Sequence, residues 1–176
     1  KAAYLEAAAT TNVNVSGVTG DIEVTNGKNV VVNDNTVDTD IIVNGAAGTI
    51  TVTDTKNAGT AGTDDITIDG GTNVTVTATA DANSGNIEIG TTKQATGDVK
   101  VTQNLNSDGT SALAGGTITV VGGKTVDVTV NAKSTAKAFN SNTGITTNTI
   151  TVTADNKTKD VTVTQNANVT TVTKPA

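Results

Sequence analysis

The chain has 176 residues, with one Tyr, one Phe and no Trp, Cys, Met or His, so its interior has to be filled by Val, Ile, Leu and Ala rather than by large rings. Without Cys there are no disulfides, thiolate nucleophiles or Cys-ligated zinc sites, and without His there is no Ser-His or Cys-His catalytic pair. Eleven basic residues against seventeen acidic ones, a formal charge of −6, disfavour nucleic acid as a partner, because that partner demands a basic footprint.

Residues 1–11 stand apart from the rest. Ala2, Ala3, Leu5, Glu6 and Ala7 to Ala9 are helix formers, and Tyr4 and Leu5 could anchor one face. The composition predicts a helical lead-in from a preceding region. Lys1 opens the chain without a Met, and Pro175-Ala176 closes it without a terminal signature, so the sequence reads as a section of something longer. No signal peptide and no apolar run long enough to span a membrane is visible.

Residues 12–172 form a repetitive β region, and 173–176 a tail. Asn12-Val13-Asn14-Val15 is a first short strand. Paired halves follow, each an alternation of apolar and polar residues, which sends the apolar set to one face of a strand. Ile22/Val24 goes with Val30/Val32 across Asn26-Gly27, and Ile41/Val43 with Ile50/Val52 across Asn44-Gly45. Ile66/Ile68 goes with Val74/Val76 across Asp69-Gly70-Gly71. Ile87/Ile89 goes with Val99/Val101 across the longer stretch from Gly90 to Gly97. Ile118/Val120 goes with Val126/Val128/Val130, and Ile150/Val152 with Val161/Val163 across Asp155-Asn156-Lys157.

Units therefore start near 22, 41, 66, 87, 118 and 150. The distance from first half to second is 8, 9, 8, 12, 8 and 11 residues, tighter than the 19 to 32 residues between units. Constant strand pairs with variable outer loops are the mark of a degenerate repeat. An Asp, Asn or Thr precedes every first half: Asp21, Asp40, Asp65, Asn86, Thr117 and Thr149. The expected fold is all-β, an irregular parallel β-solenoid of short strands in which the Val/Ile faces stack into one core. An antiparallel β-sandwich of repeats is the alternative, because Asn-Gly turns also suit hairpins.

Nothing in the chain meets the geometric needs of a reacting site, and the expectation is that it is not an enzyme. Calcium is the candidate cofactor, since Ca²⁺ takes oxygen ligands from Asp, Asn and turn carbonyls. The candidate metal ligands are Asp34, Asp38, Asp40, Asp54, Asp64, Asp65 and Asp69, with Asp81 close by in sequence. The competing reading of all of them is that Asp closes turns through its own backbone. Residues 131–149, with Lys133, Lys137 and the single Phe139, read as the longest outer loop.

Thr149-Ile150-Thr151-Val152-Thr153-Ala154-Asp155-Asn156-Lys157-Thr158-Lys159-Asp160-Val161-Thr162-Val163-Thr164-Gln165 resembles the repeating text of bacterial surface-layer proteins of the Caulobacter type and of related RTX-like repeat surface proteins. Gly115 to Val130 and Asp64 to Thr77 are similar, and large bacterial adhesins share the style. The likeness covers most of the chain from about residue 12. It implies a secreted, calcium-stabilised β protein that assembles on the cell surface. The Gly-Gly-x-Gly-x-Asp nonapeptide that binds calcium in that family is missing here; Asp69-Gly70-Gly71 is a fragment of it. The expected function is thus a self-associating structural component of an extracellular surface lattice or filament, with a stalk segment of an adhesin as the alternative. The expected partners are copies of itself and, through other regions, cell-surface polysaccharide. Nucleic acid and membrane insertion are not expected.

Overall fold

A computed structural model of the chain describes residues 1–57, 64–81, 83–107, 112–135 and 144–170. Within them the backbone winds through seven coils, each contributing one strand to each of two sheets. In chain order the coils are β1 (Ala3–Ala7) with β2 (Val13–Ser16), β3 (Ile22–Asn26) with β4 (Val30–Asp34), and β5 (Ile41–Ala46) with β6 (Ile50–Asp54). Then come β7 (Ile66–Gly70) with β8 (Val74–Ala80) and β9 (Ile87–Ile89) with β10 (Val99–Ser107). The sixth coil holds β11 (Leu113–Ala114), β12 (Thr117–Val121) and β13 (Thr125–Thr135). The seventh holds β14 (Ile145–Thr146), β15 (Thr149–Thr153) and β16 (Asp160–Thr170).

One sheet, sheet A, runs β1-β3-β5-β7-β9-β12-β15, and the other, sheet B, runs β2-β4-β6-β8-β10-β13-β16. Every pairing in both is parallel. The chain is therefore a parallel β-solenoid, and the sandwich alternative is excluded. A short third ladder, β11 with β14, lies on the return path of the last two coils.

The alternation in sequence becomes four aliphatic columns. In sheet A, Ile22, Ile41, Ile66, Ile87, Ile118 and Ile150 lie in register, beside Val24, Val43, Ile68, Ile89, Val120 and Val152. In sheet B the columns are Val13-Val30-Ile50-Val74-Val99-Val126-Val161 and Val15-Val32-Val52-Val76-Val101-Val128-Val163. The members inside the stack are fully buried. β-branched side chains suit this arrangement, because their stiff χ1 fits a pleated surface packed on both sides. From the fourth coil onward the strands of sheet B lengthen. Leu105 there sits in register between the smaller Ala80 and Ala132, so a large residue fills the space that its small neighbours leave.

The tight turn inside each unit is the corner from sheet A to sheet B. Asn26 (φ 66°) and Gly27 (φ 98°) make it in the second coil, and Gly122 (φ 75°) and Gly123 (φ 95°) in the sixth. Asn and Gly tolerate the left-handed region that such a corner requires. The variable loops carry the chain back from sheet B to the next strand of sheet A. Their unequal lengths leave the ladders of sheet B without a single register shift.

Two sequence expectations are corrected. The lead-in at residues 1–11 is not helical: Ala3–Ala7 is β1, in register with Ile22 to Asn26, and the Ala3 N–H donates to the Asp21 carbonyl at 2.8 Å. A nine-residue helix is marginal alone, whereas the free edge of β3 supplies a complete ladder, so pairing overrides propensity. Consequently there are seven coils rather than six units. In the expected outer loop 131–149, residues up to Thr135 instead continue β13, with Lys133 between Asn106 and Asn168 in register. Lys137, Phe139 and Val172 lie outside the described residues.

Candidate functional site

Several of the acidic residues, with Asn beside them, fall into three groups defined by where the coil places them. The first stands just before the strands of sheet A. The Asp40 N–H donates to Asp21 Oδ1 at 3.4 Å, the Asp65 N–H to Asp40 Oδ1 at 3.0 Å and the Asn86 N–H to Asp65 Oδ1 at 2.7 Å. The Thr117 N–H then donates to Asn86 Oδ1 at 2.8 Å. A single side-chain oxygen per coil thus reaches the backbone of the next coil. This explains why an Asp or Asn precedes each of these halves: a short acceptor is the side chain that can satisfy a strand-leading N–H one coil away.

A matching ladder precedes the strands of sheet B. The Thr49 N–H donates to Asn29 Oδ1 at 3.0 Å, the Asp98 N–H to Asn73 Oδ1 at 2.9 Å, and the Thr125 hydroxyl to Asp98 Oδ1 at 2.7 Å. Asp69 does similar work at another corner: its Oδ1 accepts from the N–H groups of Thr92 and Lys93 at 2.8 and 3.0 Å.

An Asp65→Ala variant is expected to lose about 1–3 kcal/mol, because the part-buried Asn86 N–H loses its acceptor. Asp65→Asn keeps an oxygen in place and is expected to recover most of that loss. Urea unfolding of the two variants measures the difference; equal losses would contradict a role through the acceptor oxygen.

The third group is buried. Asp34 ends β4 and Asp54 ends β6, and the two are in register. Each continues the inward alternation, Val30-Val32-Asp34 and Ile50-Val52-Asp54. The Thr36 N–H donates to Asp34 Oδ2 at 3.1 Å, and the Lys56 N–H to Asp54 Oδ1 at 2.8 Å. Asp64, at φ 68°, accepts from the N–H groups of Asp38 and Thr39 at 3.2 and 3.3 Å. Its own carbonyl accepts from Asn57 Nδ2 at 2.6 Å. Asp34, Asp54, Asn57 and Asp64 are all buried. Burial pushes the Asp54 carboxyl up to about 7; the Lys56 N–H pulls it back in part, and the charges of Asp64 and then Asp34 add to the rise.

Of the seven candidate metal ligands, then, Asp40 and Asp65 belong to the sheet A ladder, Asp69 caps a turn and Asp38 is exposed. Asp34, Asp54 and Asp64 gather at one corner. Among the described residues, no three Asp, Glu, His or Cys side chains are arranged to hold a metal ion. Asp81 is engaged elsewhere, 2.9 Å from the Lys56 ammonium at the surface.

Sequence reasoning passes over two polar features. Gln103 occupies an inward position between Val101 and Leu105 and is fully buried, with its Nε2 3.5 Å from Asn57 Oδ1. The alternation itself is the signal for it. Asn104, Asn131 and Asn166 form an outward amide ladder, Asn131 Nδ2 donating to Asn104 Oδ1 at 3.1 Å and Asn166 Nδ2 to Asn131 Oδ1 at 3.0 Å. Its spacing of 27 and 35 residues becomes visible only once the coils are aligned. No protein family, curated protein or solved structure matches this chain.

Proposed function

We propose that this chain is a structural section of an extracellular cell-surface assembly, in which copies join coil on coil into a filament or lattice. The observation that carries the proposal is the stacking itself: each coil pairs in parallel with the next through both sheets, so the face of one coil is a template for another. Val161, Val163 and Val169 of β16 continue inward columns, yet each is close to half exposed, because no described coil covers them. At the opposite face β1 and β2 have no outer neighbour among the described residues, and Leu5 and Tyr4 are exposed.

The two faces are complementary in pattern. Val161 and Val163 end the same columns that Val13 and Val15 begin. A second copy laid on β15 and β16 would continue both sheets, pair the free N–H and C=O groups and cover the exposed valines. Such a contact joins unlike faces, so it does not close and produces an open filament. The resemblance of 149–165 to surface-layer sequences supports a place at the cell surface. The same coil-on-coil stacking also favours a second reading, a stalk section in which further coils of one adhesin chain occupy these faces.

The test is light scattering and negative-stain microscopy of the purified chain beside a Val161→Lys/Val163→Lys variant. Wild type is expected to form filaments as its concentration rises, and the variant to stay monomeric, since inward-pointing charges block an edge. Repeating both in Ca²⁺ and in EGTA reads the calcium dependence that the resemblance implies. A wild type that stays monomeric throughout would sink self-association and leave the stalk.

A further inference from the structure

The outward face of sheet B changes character along its strands. Thr77, Thr102, Thr129 and Thr164 lie in register across β8, β10, β13 and β16, and threonine is a polar residue that suits a strand. Two residues further on, the same strands present Thr79, Asn104, Asn131 and Asn166, again in register. The next outward row is Asn106, Lys133 and Asn168. Asn and Lys are depleted in strands, yet five Asn and one Lys stand together here. Packing does not demand them: Asn106, Lys133, Asn166 and Asn168 are exposed, and Asn104 and Asn131 half-buried. Residues that run against their own element at open positions are expected where function sets the choice.

These side chains line a groove of about 360 Å³, within the size range of small-molecule sites. Along it runs the amide ladder, with Asn131 Nδ2 donating to Asn104 Oδ1 and Asn166 Nδ2 to Asn131 Oδ1. Each of these bonds uses one amide hydrogen and one lone pair. A side-chain amide has two of each, so Asn131 keeps a donor and an acceptor for a ligand, in an orientation that the ladder fixes. The row repeats at the strand separation, about 4.8 Å. Beside it, Lys133 stands between Asn106 and Asn168. No carboxylate lines the groove, and among the described residues the Lys133 ammonium is in no ion pair. In a chain of net charge −6, the groove is a local positive site bordered by neutral amides.

That chemistry selects among ligands. Amides that both donate and accept complement neighbouring hydroxyls, which do the same. One ammonium complements one carboxylate. Without aromatic side chains in the lining there is no platform for nucleic-acid bases, and one Lys falls short of the footprint of a phosphate backbone. An acidic peptide supplies carboxylates but few hydroxyls. We propose that the groove across β10, β13 and β16 binds an acidic saccharide, a uronic acid chain whose hydroxyls dock on the Asn104–Asn131–Asn166 ladder and whose carboxylate pairs with Lys133. Coil-on-coil joining uses the coil ends and not this outward face, so the two readings stand independently.

Binding of the full chain to immobilised polygalacturonate, dextran and polyglutamate, measured in EDTA at low salt, tests the proposal. Wild type is expected to bind polygalacturonate, and to bind neutral dextran and hydroxyl-free polyglutamate at least about tenfold more weakly. Lys133→Ala is expected to weaken polygalacturonate binding about tenfold, and Asn131→Thr by a similar factor. Lys100→Ala is expected to bind like wild type, because Lys100 is on the same face of β10 but outside the groove. Asn131→Thr is expected to keep the wild-type Tm, since Thr suits a strand. Failure of wild type to bind polygalacturonate would overturn the proposal. Equal binding to polyglutamate, or an equal loss in Lys100→Ala, would reduce the effect to charge alone and overturn it too. Equal binding to dextran would remove the carboxylate from the recognition. An Asn131→Thr variant with a lowered Tm and undiminished binding would assign the ladder to holding the coils together, and that also overturns the site.

Discussion

Truncating Ile68 to Ala is expected to cost about 3–5 kcal/mol, and replacing it with Asp to leave the chain unfolded at neutral pH. Ile68 is fully buried in the middle of its column, with Val43 on one side and Ile89 on the other. The columns above and below are tied to their own backbone ladders and cannot collapse into the space that Ala would leave. An Asp there would lie among aliphatic side chains. The same truncation at Ile150 is expected to cost about 1 kcal/mol, because Ile150 lies in the outermost coil, touches Ile118 on one side only and is already partly exposed. This gradient from centre to end distinguishes a solenoid, whose stability is a sum over neighbouring coils. Urea unfolding of the two Ala variants measures it; equal losses at both positions would contradict a stack built from nearest-neighbour contacts.

That column is legible in the amino-acid sequence. Ile66 and Ile68, and Val74 and Val76, alternate with Thr and Asp at the period of a strand, and the alternation alone assigns them to the interior. The direction of pairing is less accessible. Asn26-Gly27 supplies two consecutive residues with positive φ, and both a hairpin turn and a solenoid corner can use such a pair. The neighbour that decides between the two, β5 beside β3 rather than β4 beside β3, lies 19 residues away, from Ile22 to Ile41, and local chemistry does not encode it. The lead-in misleads for a related reason. Ala, Leu and Glu prefer a helix, yet the exposed edge of β3 offers Ala3–Ala7 bonds that an isolated short helix lacks.

The acidic residues divide along the same line. Asp21, Asp40 and Asp65 recur at one position of the unit, and that recurrence is readable in the chain; their carboxylate-to-backbone bonds run to the next coil and are not. Asp34 and Asp54 stand two residues beyond Val32 and Val52, in phase with the buried positions. A charged residue there looks like the end of a strand. Only stacking shows that both remain inside, one directly above the other.

A proline at Thr102 is expected to divide the rod. Thr102 sits in the middle of β10, in register with Thr77 of β8 on one side and Thr129 of β13 on the other. Proline removes a ladder N–H there, and its ring does not fit a strand that is paired on both edges. The direct cost is about 3 kcal/mol or more, but the location matters more than the figure. Each coil contacts its two neighbours, so a fault in the fifth coil interrupts the coupling between the first four and the last two. The variant is expected to unfold in two steps, with new protease cleavage around residues 99–107, while wild type unfolds in one. The same substitution at the exposed Val37, which lies outside every strand, is expected to leave a single transition. Circular dichroism melts combined with limited proteolysis read both outcomes, and a single unshifted transition for Thr102→Pro would show that the coils on either side of β10 do not depend on it for their coupling.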